Sequence, residues 1–476
     1  MLKNKIPMKP FYALFAAAAA VSAMADVTMN VDFSVKSATV RKELHGATYM
    51  AAFGDRLTEE YDSSLRELNL QFSRTHDWAL ANPGQRVVDI HWVFPVFSAD
   101  ADDPANYNFA ATDKAIELTK ANLGCDIFFR LGNSIDKSDR HYNADMPADN
   151  EKWAKVCANI IRHYNCGWAN GFYYNIKYWE IWNEPELTSN SCWNGTWAQF
   201  QTFFATVIAY LQNEFPKGEY PDWNFGGPAL SEYNYSKILG LVQACEKKGA
   251  LPDFISWHRY GTTIDDVIAK SASTKNSLRA QSADYGDIKT VIDEWHYVNW
   301  SDSTTANRYN HNSAAFTAAC MCGFQNEADS NKFAVACNYG YKLTGSWGVM
   351  DSSYNPHRIF YVLKWIGDLI TTCTDVCSST ESTGGVVYIL AAKSSDGKTG
   401  KLLVSHYSST AGASNININL AGAGATPVIT SAYRLSSDST SPVAVTPTVT
   451  DGVLTLAKPA YSTVFYLTFD LTGAED

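Results

Sequence analysis

The stretch "YWEIWNEPEL", residues 178–187, decides the fold assignment of this chain. It begins as a nearly continuous apolar and aromatic strand and ends with Asn183 and Glu184 before a proline. A carboxylate that is taken out of water costs several kcal/mol unless it is paired or protonated. Placing Glu184 close to Trp179 and Trp182 therefore indicates a chemical task for that carboxylate.

Short apolar runs alternate with helical patterns on both sides of this stretch. The predicted strands are residues 44–51, 69–75, 125–131, 176–182, 223–228, 253–258, 289–295 and 332–338. The predicted helices are residues 58–68, 111–123, 150–164, 196–215, 235–249, 263–271, 310–324 and 357–370. Strands that alternate with helices form parallel sheets, and eight such units predict a (β/α)8 TIM barrel over residues 41–372. We interpret residues 87–94 as an excursion in the loop after the second strand.

The pattern changes near residue 380, where apolar residues begin to alternate in the period of a strand. Runs such as "GVVYILAAK" and "STVFYLTFD" are separated by Gly, Ser and Thr, which predicts an antiparallel β-sandwich over residues 373–476. Residues 26–40 alternate in the same way. We expect them to add an N-terminal strand to the sandwich.

The first 25 residues are typical of a cleavable signal peptide. They contain three lysines near the start, an apolar run over residues 11–20 and a small-x-small site at residues 23–25. We expect cleavage after Ala25 and a secreted or periplasmic protein. The formal net charge is −11, and loss of three lysines and no acids makes it −14. This acidity argues against nucleic acid and against anionic membranes as partners.

The ten cysteines form neither a CxxC motif nor a zinc-like pattern with histidine. We expect no metal ion and no cofactor. Most of the cysteines are expected to be buried free thiols. Two pairs, Cys157–Cys166 and Cys373–Cys377, remain candidates for a disulfide.

Two strand ends carry the residues that suggest catalysis. In a TIM barrel the carboxyl ends of the strands form the active site. Glu184 ends the fourth predicted strand and Glu294, in "TVIDEWHY", ends the seventh, nearly opposite across the barrel. Carboxylates about 5–5.5 Å apart suit a retaining glycosidase. Burial of Glu184 would favour its protonated form, which an acid catalyst needs. A single Glu at a strand end is more often a cap or an ion-pair partner, but two at matching ends favour catalysis.

Several motifs resemble clan A glycoside hydrolases, and most of all glycoside hydrolase family 39, which holds β-xylosidases and α-L-iduronidases. These motifs are "FSRTHDW", "YWEIWNEPEL", "DFISWHRYG", "VIDEWHY" and, more loosely, residues 346–369. The resemblance implies a barrel joined to a β-sandwich and an enzyme that hydrolyses glycosidic bonds. It implies that Glu184 is the acid/base and Glu294 the nucleophile.

The resemblance also implies substrate-binding residues. Asn183 would bond the 2-hydroxyl of the sugar, and Arg74 and His76 would hold the nucleophile and the sugar. His258 and Tyr260 would hydrogen-bond toward Glu294 and the sugar. For Arg74 a structural ion pair remains the alternative, and for His258 a core position.

Three further positions are assigned to the pocket with less support from the motifs. Trp347 is a candidate stacking platform, with simple packing as the alternative. Asn133 ends the third strand and offers a polar contact, and Asp77 stands where members of the family tend to carry small or apolar residues. Because Asp77 and Asn133 depart from the family pattern, the sugar specificity cannot be carried over from β-xylosidases.

The sequence therefore predicts a retaining exo-glycosidase that acts on an oligo- or polysaccharide with a neutral sugar, in the manner of a β-xylosidase, arabinofuranosidase or galactosidase. The alternatives are an endo-acting glycanase of the same clan and a non-catalytic carbohydrate-binding barrel protein. The presence of both Glu184 and Glu294 argues against the last. The long excursion over residues 77–110 and the insertion after Glu184 favour a closed pocket and hence an exo enzyme.

Overall fold

The structure is a computed structural model. It describes residues 26–49, 63–78, 86–135, 142–188, 192–340, 347–351, 353–381, 386–408, 415–457 and 461–473. The predicted signal peptide lies outside the described residues. So do residues 50–62, in which the first predicted helix begins.

After a first strand, β1 (Val27–Thr39), the chain forms a closed barrel of eight parallel strands. The barrel strands are β2 (Gly46–Thr48), β3 (Phe72–Arg74), β4 (Asp126–Leu131), β5 (Tyr178–Ile181), β6 (Asn224–Leu230), β7 (Phe254–Gly261), β8 (Lys289–Tyr297) and β9 (Val335–Tyr339). Each strand pairs with the next along the chain, and β9 pairs with β2 to close the barrel. The predicted TIM barrel is confirmed.

Helices alternate with the barrel strands. They are α1 (Ile90–Val93), α2 (Ala110–Leu123), α3 (Asn150–Cys166), α4 (Trp197–Glu214), α5 (Tyr235–Glu246), α6 (Ile264–Ile268), α7 (Lys270–Gln281), α8 (His311–Asn326) and α9 (Arg358–Thr372). Helix α1 lies in the predicted excursion, and α2 ends at Gly124 in the left-handed conformation (φ 69°), as the sequence suggested. The single helix predicted over residues 263–271 is instead two helices. The second, α7, has Leu278 as its only large apolar residue, so its sequence carries little helical periodicity.

The strands of the barrel bury apolar side chains on both faces. Phe72, Phe128, Tyr178 and Phe254 belong to one buried cluster inside the barrel, near the amino ends of the strands. Residues of opposite parity, such as Trp179, pack outward in the cluster formed with the helices. This alternation leaves the carboxyl ends of the strands for polar side chains.

A second sheet of ten strands follows the barrel, and β1 belongs to it. The other strands are β10 (Asp375–Glu381), β11 (Val387–Lys393), β12 (Thr399–His406), β13 (Asn415–Ala421), β14 (Val428–Leu435), β15 (Val443–Ala444), β16 (Thr448–Thr450), β17 (Val453–Ala457) and β18 (Thr463–Asp470). Strand β1 pairs with β10 in the antiparallel sense and with β13 in the parallel sense. Phe33, Leu402, Ile418 and Phe465 from both halves of the sheet share one core, as in a sandwich.

The barrel and the second sheet share a core as well. Leu403 and Tyr466 of the sheet lie in the same buried cluster as Leu363 of helix α9. Trp365 of α9 stacks on Tyr466, with ring centroids 5.5 Å apart.

Each of the ten cysteines is a described residue and a free thiol, so neither candidate pair is bridged. Within the described part of the chain, no helix combines the length and the apolar character that a membrane span requires.

Candidate active site

Strand β5 leaves the barrel through a sharply bent backbone. Trp182 and Glu184 both have positive φ, 76° and 49°, which is uncommon for residues other than glycine. The Glu184 N–H donates to the Ala229 carbonyl of the neighbouring strand β6 at 2.9 Å. Backbone strain of this kind is concentrated at functional sites, and here it turns Asn183 and Glu184 into the mouth of the barrel.

The fully buried carboxylate of strand β5 is Glu180. Its side chain is inaccessible to solvent, whereas that of Glu184 is 12% exposed. Burial raises the pKa of Glu180 to about 8, against the opposing charge of Arg74. Trp179 and Trp182 pack in the helical layer. The expectation that these tryptophans bury Glu184 is therefore wrong, because side chains alternate along a strand and the backbone bend turns Glu184 away.

Arg74, at the end of β3, connects the ends of three strands. Its Nε donates to Glu180 Oε2 at 2.6 Å, Nη1 to Glu294 Oε1 at 2.9 Å and Nη2 to Asn183 Oδ1 at 2.8 Å. The same Nη2 lies 3.1 Å from Asp293 Oδ2. Arg74 is completely buried, so these contacts are made without competition from water. The arginine is thus both a structural ion-pair partner and a support for Glu294 and Asn183.

Glu294 is held on both carboxylate oxygens. In addition to Arg74 on Oε1, the Tyr260 hydroxyl donates to Oε2 at 2.5 Å. Burial raises the pKa of Glu294 to about 7, while the charges of His258 and Arg74 act in the opposite direction and that of Glu184 adds to the rise.

His258 bridges the two candidate catalytic carboxylates. Its Nδ1 lies 2.8 Å from Glu184 Oε1 and 3.3 Å from Glu294 Oε2, and its Nε2 lies 3.3 Å from Asp293 Oδ2. Burial alone would lower the pKa of His258, but the charges of Glu294 and Asp293 outweigh burial and raise that pKa well above its ordinary value. His258 is therefore both a fully buried histidine and a member of the polar network.

The separation of the two glutamates fits one of the two known geometries for glycoside hydrolysis. A carboxylate oxygen of Glu184 lies within 4.8 Å of one of Glu294. Retaining enzymes place the two carboxyl groups about 5–5.5 Å apart and inverting enzymes about 6.5–9.5 Å apart. The same atoms and His258 Nδ1 are close enough to hold a metal ion. Their oxygens already accept hydrogen bonds from Tyr260 and His258, and we assign no metal there.

His76 and Asp77 lie beside Glu294. His76 Nε2 lies 3.7 Å from Asp77 Oδ1 and 3.9 Å from Glu294 Oε1, distances too long for a hydrogen bond. Burial and the charge of Arg74 lower the pKa of His76 far enough to keep the ring neutral. Burial raises the pKa of Asp77, while Arg86 opposes the shift. A hydroxyl group between these side chains could bond to His76 and to either carboxylate.

The structure places Asn133 apart from this network. Its amide oxygen lies 3.0 Å from Nδ1 of His91, and its amide nitrogen donates to the Asn143 carbonyl. Each end of the amide therefore has one partner within the protein, and the contact with sugar stays a prediction.

Trp347 lies close to the network, among aromatic side chains. Its ring centroid is 5.7 Å from that of Tyr260 and 5.2 Å from that of Tyr339. The guanidinium carbon of Arg308 lies 3.7 Å from the centre of the Trp347 ring. The tryptophan is partly exposed, as a stacking platform must be.

Sequence reasoning missed three residues of this site. Glu180 was hidden among the apolar residues of its strand, although its inward parity could have revealed it. Asp293 directly precedes Glu294, and in a regular strand its side chain would point to the opposite face. Arg308 lies in the segment between β8 and α8, far from any motif, and no pattern in the sequence marks it.

Comparison with known proteins shows the family to which this chain belongs. The model of glycosyl hydrolases family 39 matches residues 36–335, which is more than half of the chain. Among solved structures, a glucosidase from Croceicoccus marinus has 20% identity and a TM-score of 0.72, with 94% of this chain and 99% of that chain covered. An α-L-arabinofuranosidase from Thermotoga maritima has 12% identity and a TM-score of 0.62, with coverage of 94% and 100%.

A bacterial orthologue of human α-L-iduronidase has 13% identity and a TM-score of 0.67, with 94% of this chain and 84% of that chain covered. At these identities the likeness shows the fold alone. A search of curated proteins found no match. The family match nevertheless spans the barrel strands that carry Arg74, Glu184 and Glu294. The chain belongs to glycosyl hydrolases family 39 and is a glycoside hydrolase.

Proposed function

We propose that the protein is a retaining exo-glycosidase that releases a neutral sugar by double displacement, with Glu294 as nucleophile and Glu184 as acid/base. The observation that carries the proposal is the approach of the two carboxylates to within 4.8 Å. That distance leaves too little room for the water molecule that an inverting enzyme places beside its base.

In the first step Glu294 attacks the anomeric carbon and the bond to the leaving oxygen breaks as Glu184 gives that oxygen its proton. In the second step Glu184 takes a proton from water, the water oxygen attacks the anomeric carbon, and Glu294 leaves as a carboxylate. Arg74 and Tyr260 fix the direction of the attacking oxygens through their hydrogen bonds. The partial exposure of Glu184 gives the leaving group and water access to it.

Asn183 is well placed for the 2-hydroxyl of the sugar. Its Oδ1 accepts from Arg74 Nη2, so the amide nitrogen is the end left to donate to substrate. A hydrogen bond to the 2-hydroxyl strengthens in the transition state of this reaction. Asn183 thus supports catalysis without taking part in proton transfer.

The charges around the pocket favour a neutral sugar. Asp77 would repel a uronic acid carboxylate, and the guanidinium of Arg74 is occupied by Glu180, Asn183 and the nucleophile. Arg259 pairs with Asp266 at 2.5 Å on the outer side of the strand. We therefore propose a pentose such as xylose or arabinose, or a galactose-type hexose.

A screen of nitrophenyl pyranosides and furanosides tests this proposal, with each neutral sugar compared with the uronide of the same ring and anomer. We expect the neutral glycoside to be cleaved faster. Faster cleavage of the uronide would refute the charge argument and would point to Arg308, which stacks on Trp347, as the carboxylate-binding residue. NMR of the first-formed product should show the anomeric configuration of the substrate, and inversion would refute the mechanism.

We also propose that the protein is secreted or periplasmic, on the strength of residues 1–25. N-terminal sequencing of protein recovered from outside the cytoplasm should begin at Asp26. An N-terminus that retains the lysines near residue 1 would contradict this proposal.

A further inference from the structure

Strand β8 contains a bulge at the residue before the proposed nucleophile. In the pairing with β7, Trp257 lies opposite Ile292, but His258 lies opposite Glu294, so Asp293 has no partner in that ladder. The pairing of β8 with β9 slips in the same region. In a regular strand neighbouring side chains point to opposite faces. The bulge instead lets Asp293 and Glu294 both reach Arg74 and His258.

A side chain from another strand holds the bulge in place. The hydroxyl of Thr48, at the end of β2, donates to the backbone carbonyl of Asp293. Thr48 and Asp293 are both fully buried, and a bulge leaves backbone groups of the extra residue without a partner in the ladder. The bond from Thr48 satisfies one of these groups and links the first barrel strand to the seventh.

The bulge places a third carboxylate against His258. Nε2 of the His258 ring faces Asp293, and Nδ1 of the same ring faces both Glu184 and Glu294. A neutral imidazole has one N–H, whereas the imidazolium has two. With carboxylate oxygens at both nitrogens, the protonated ring satisfies every contact. Of the two Asp293 oxygens, Oδ2 also meets Arg74 Nη2, which fixes the carboxylate opposite the ring.

We propose that Asp293 is a positioning residue that acts through His258. It holds the imidazole doubly protonated and oriented so that Nδ1–H lies between the acid/base and the nucleophile. His258 keeps both protons throughout the reaction, so the proton that reaches the leaving group is that of Glu184. When Glu184 loses its proton, the adjacent imidazolium stabilises the new negative charge. This inference rests on the proposed roles of Glu184 and Glu294.

The other titratable groups around His258 come from several elements. Arg74 of β3 shares the Asp293 carboxylate with it, and Tyr260 of its own strand bonds to the same Glu294 oxygen. The charge of His258 acts to lower the pKa of His76, after β3, and that of Glu186, after β5. Of these groups Asp293 is the one that approaches Nε2, so replacing it changes the partner of that nitrogen directly.

The test uses Asp293→Asn in the full-length chain. The charge of Asp293 raises the pKa of His258 and also that of Glu294, so its removal should lower both. The whole pH profile of kcat/KM should therefore move to lower pH. The shift is about one pH unit if the acid dissociation constants of His258 and Glu294 each change tenfold. Thr48→Val keeps the charge of Asp293 and removes only the hydrogen bond to the bulge, so its profile should move less than that of Asp293→Asn. A loss of kcat in Asp293→Asn without movement of the profile would overturn the proposal.

A second measurement needs no substrate and observes the wild-type protein. Nitrogen-15 NMR of histidine-labelled wild-type protein reports the protonation of each imidazole, and His258→Gln identifies the signals of His258. We expect both nitrogens of His258 to carry protons at pH 7 and above. A singly protonated His258 at pH 7 would refute the proposal even if the enzyme proved to be a retaining glycosidase. A doubly protonated His258 in a protein without glycosidase activity would refute only the proposed function.

Discussion

The two proposed catalytic glutamates differ in the groups that surround them. Glu294 accepts hydrogen bonds on both oxygens, from Arg74 and Tyr260, which suits a carboxylate that must attack in one direction. Glu184 accepts from His258 and is partly exposed to solvent, which suits a group that exchanges a proton with substrate and water. Two predictions follow from this difference at the scale of single residues.

The first concerns the leaving group. Glu184→Ala should slow substrates with poor leaving groups by about 10²–10⁴-fold, because these need the proton, and should slow activated aryl glycosides far less. Azide should restore activity by occupying the space of the lost carboxylate and attacking the glycosyl-enzyme. Glu186→Ala is the matched control, since Glu186 accepts from the backbone N–H and hydroxyl of Ser231. Equal losses for both kinds of leaving group, without rescue, would assign Glu184 a structural role.

The second prediction concerns the fall of kcat/KM at low pH. Glu294 must be ionised to attack, and burial raises its pKa to about 7. We therefore expect kcat/KM to fall about tenfold for each pH unit below 7. Tyr260→Phe removes a donor that favours the ionised form, so the fall should move to higher pH. A profile that stays flat down to pH 5 in the wild type would contradict the nucleophile assignment.

At the scale of secondary structure, strand β5 places carboxylates in two different settings. Glu180 is fully buried and bonded to Arg74 and to the Ser256 hydroxyl, whereas Glu184 stands at the bent end of the strand. Removing one partner of a buried ion pair costs about 3–5 kcal/mol, and Glu180→Ala leaves Nε of Arg74 and the Ser256 hydroxyl without their acceptor. Glu180→Ala should lower the free energy of unfolding by this amount, measured by denaturant titration. Glu184→Ala should leave it unchanged or raise it, and the opposite ranking would contradict the division of tasks.

The strands and helices of the barrel were largely predictable, because buried parallel strands form short apolar runs and surface helices show a period of 3.6 residues. The direction of particular side chains was not. The bulge at Asp293 depends on pairing with two neighbouring strands and on Thr48, 245 positions away. Polar elements such as β10 ("DVCSSTE") and α7 were missed because tertiary contacts, rather than local periodicity, hold them.

At the scale of the whole molecule, the barrel and the sandwich should unfold together. Leu403 lies in the core shared with the barrel helices, whereas Leu454 lies in the core between the halves of the sandwich. Replacing either leucine by alanine costs about 2–5 kcal/mol. Calorimetry should show one transition in the wild type, shifted as a whole in both variants. Two separate transitions, with only one affected by Leu454→Ala, would show that the domains unfold independently.

The central claim is that Glu294 attacks the anomeric carbon, and covalent trapping tests it most directly. The screen of nitrophenyl glycosides identifies the sugar, and its 2-deoxy-2-fluoro glycoside with a good leaving group slows the second step, so that the glycosyl-enzyme accumulates. Mass spectrometry of the digested protein should find one sugar on the peptide that contains "VIDEWHY", attached to Glu294. A label on Glu184, on Glu186 or on Asp293 would contradict the account, as would inactivation without a covalent label.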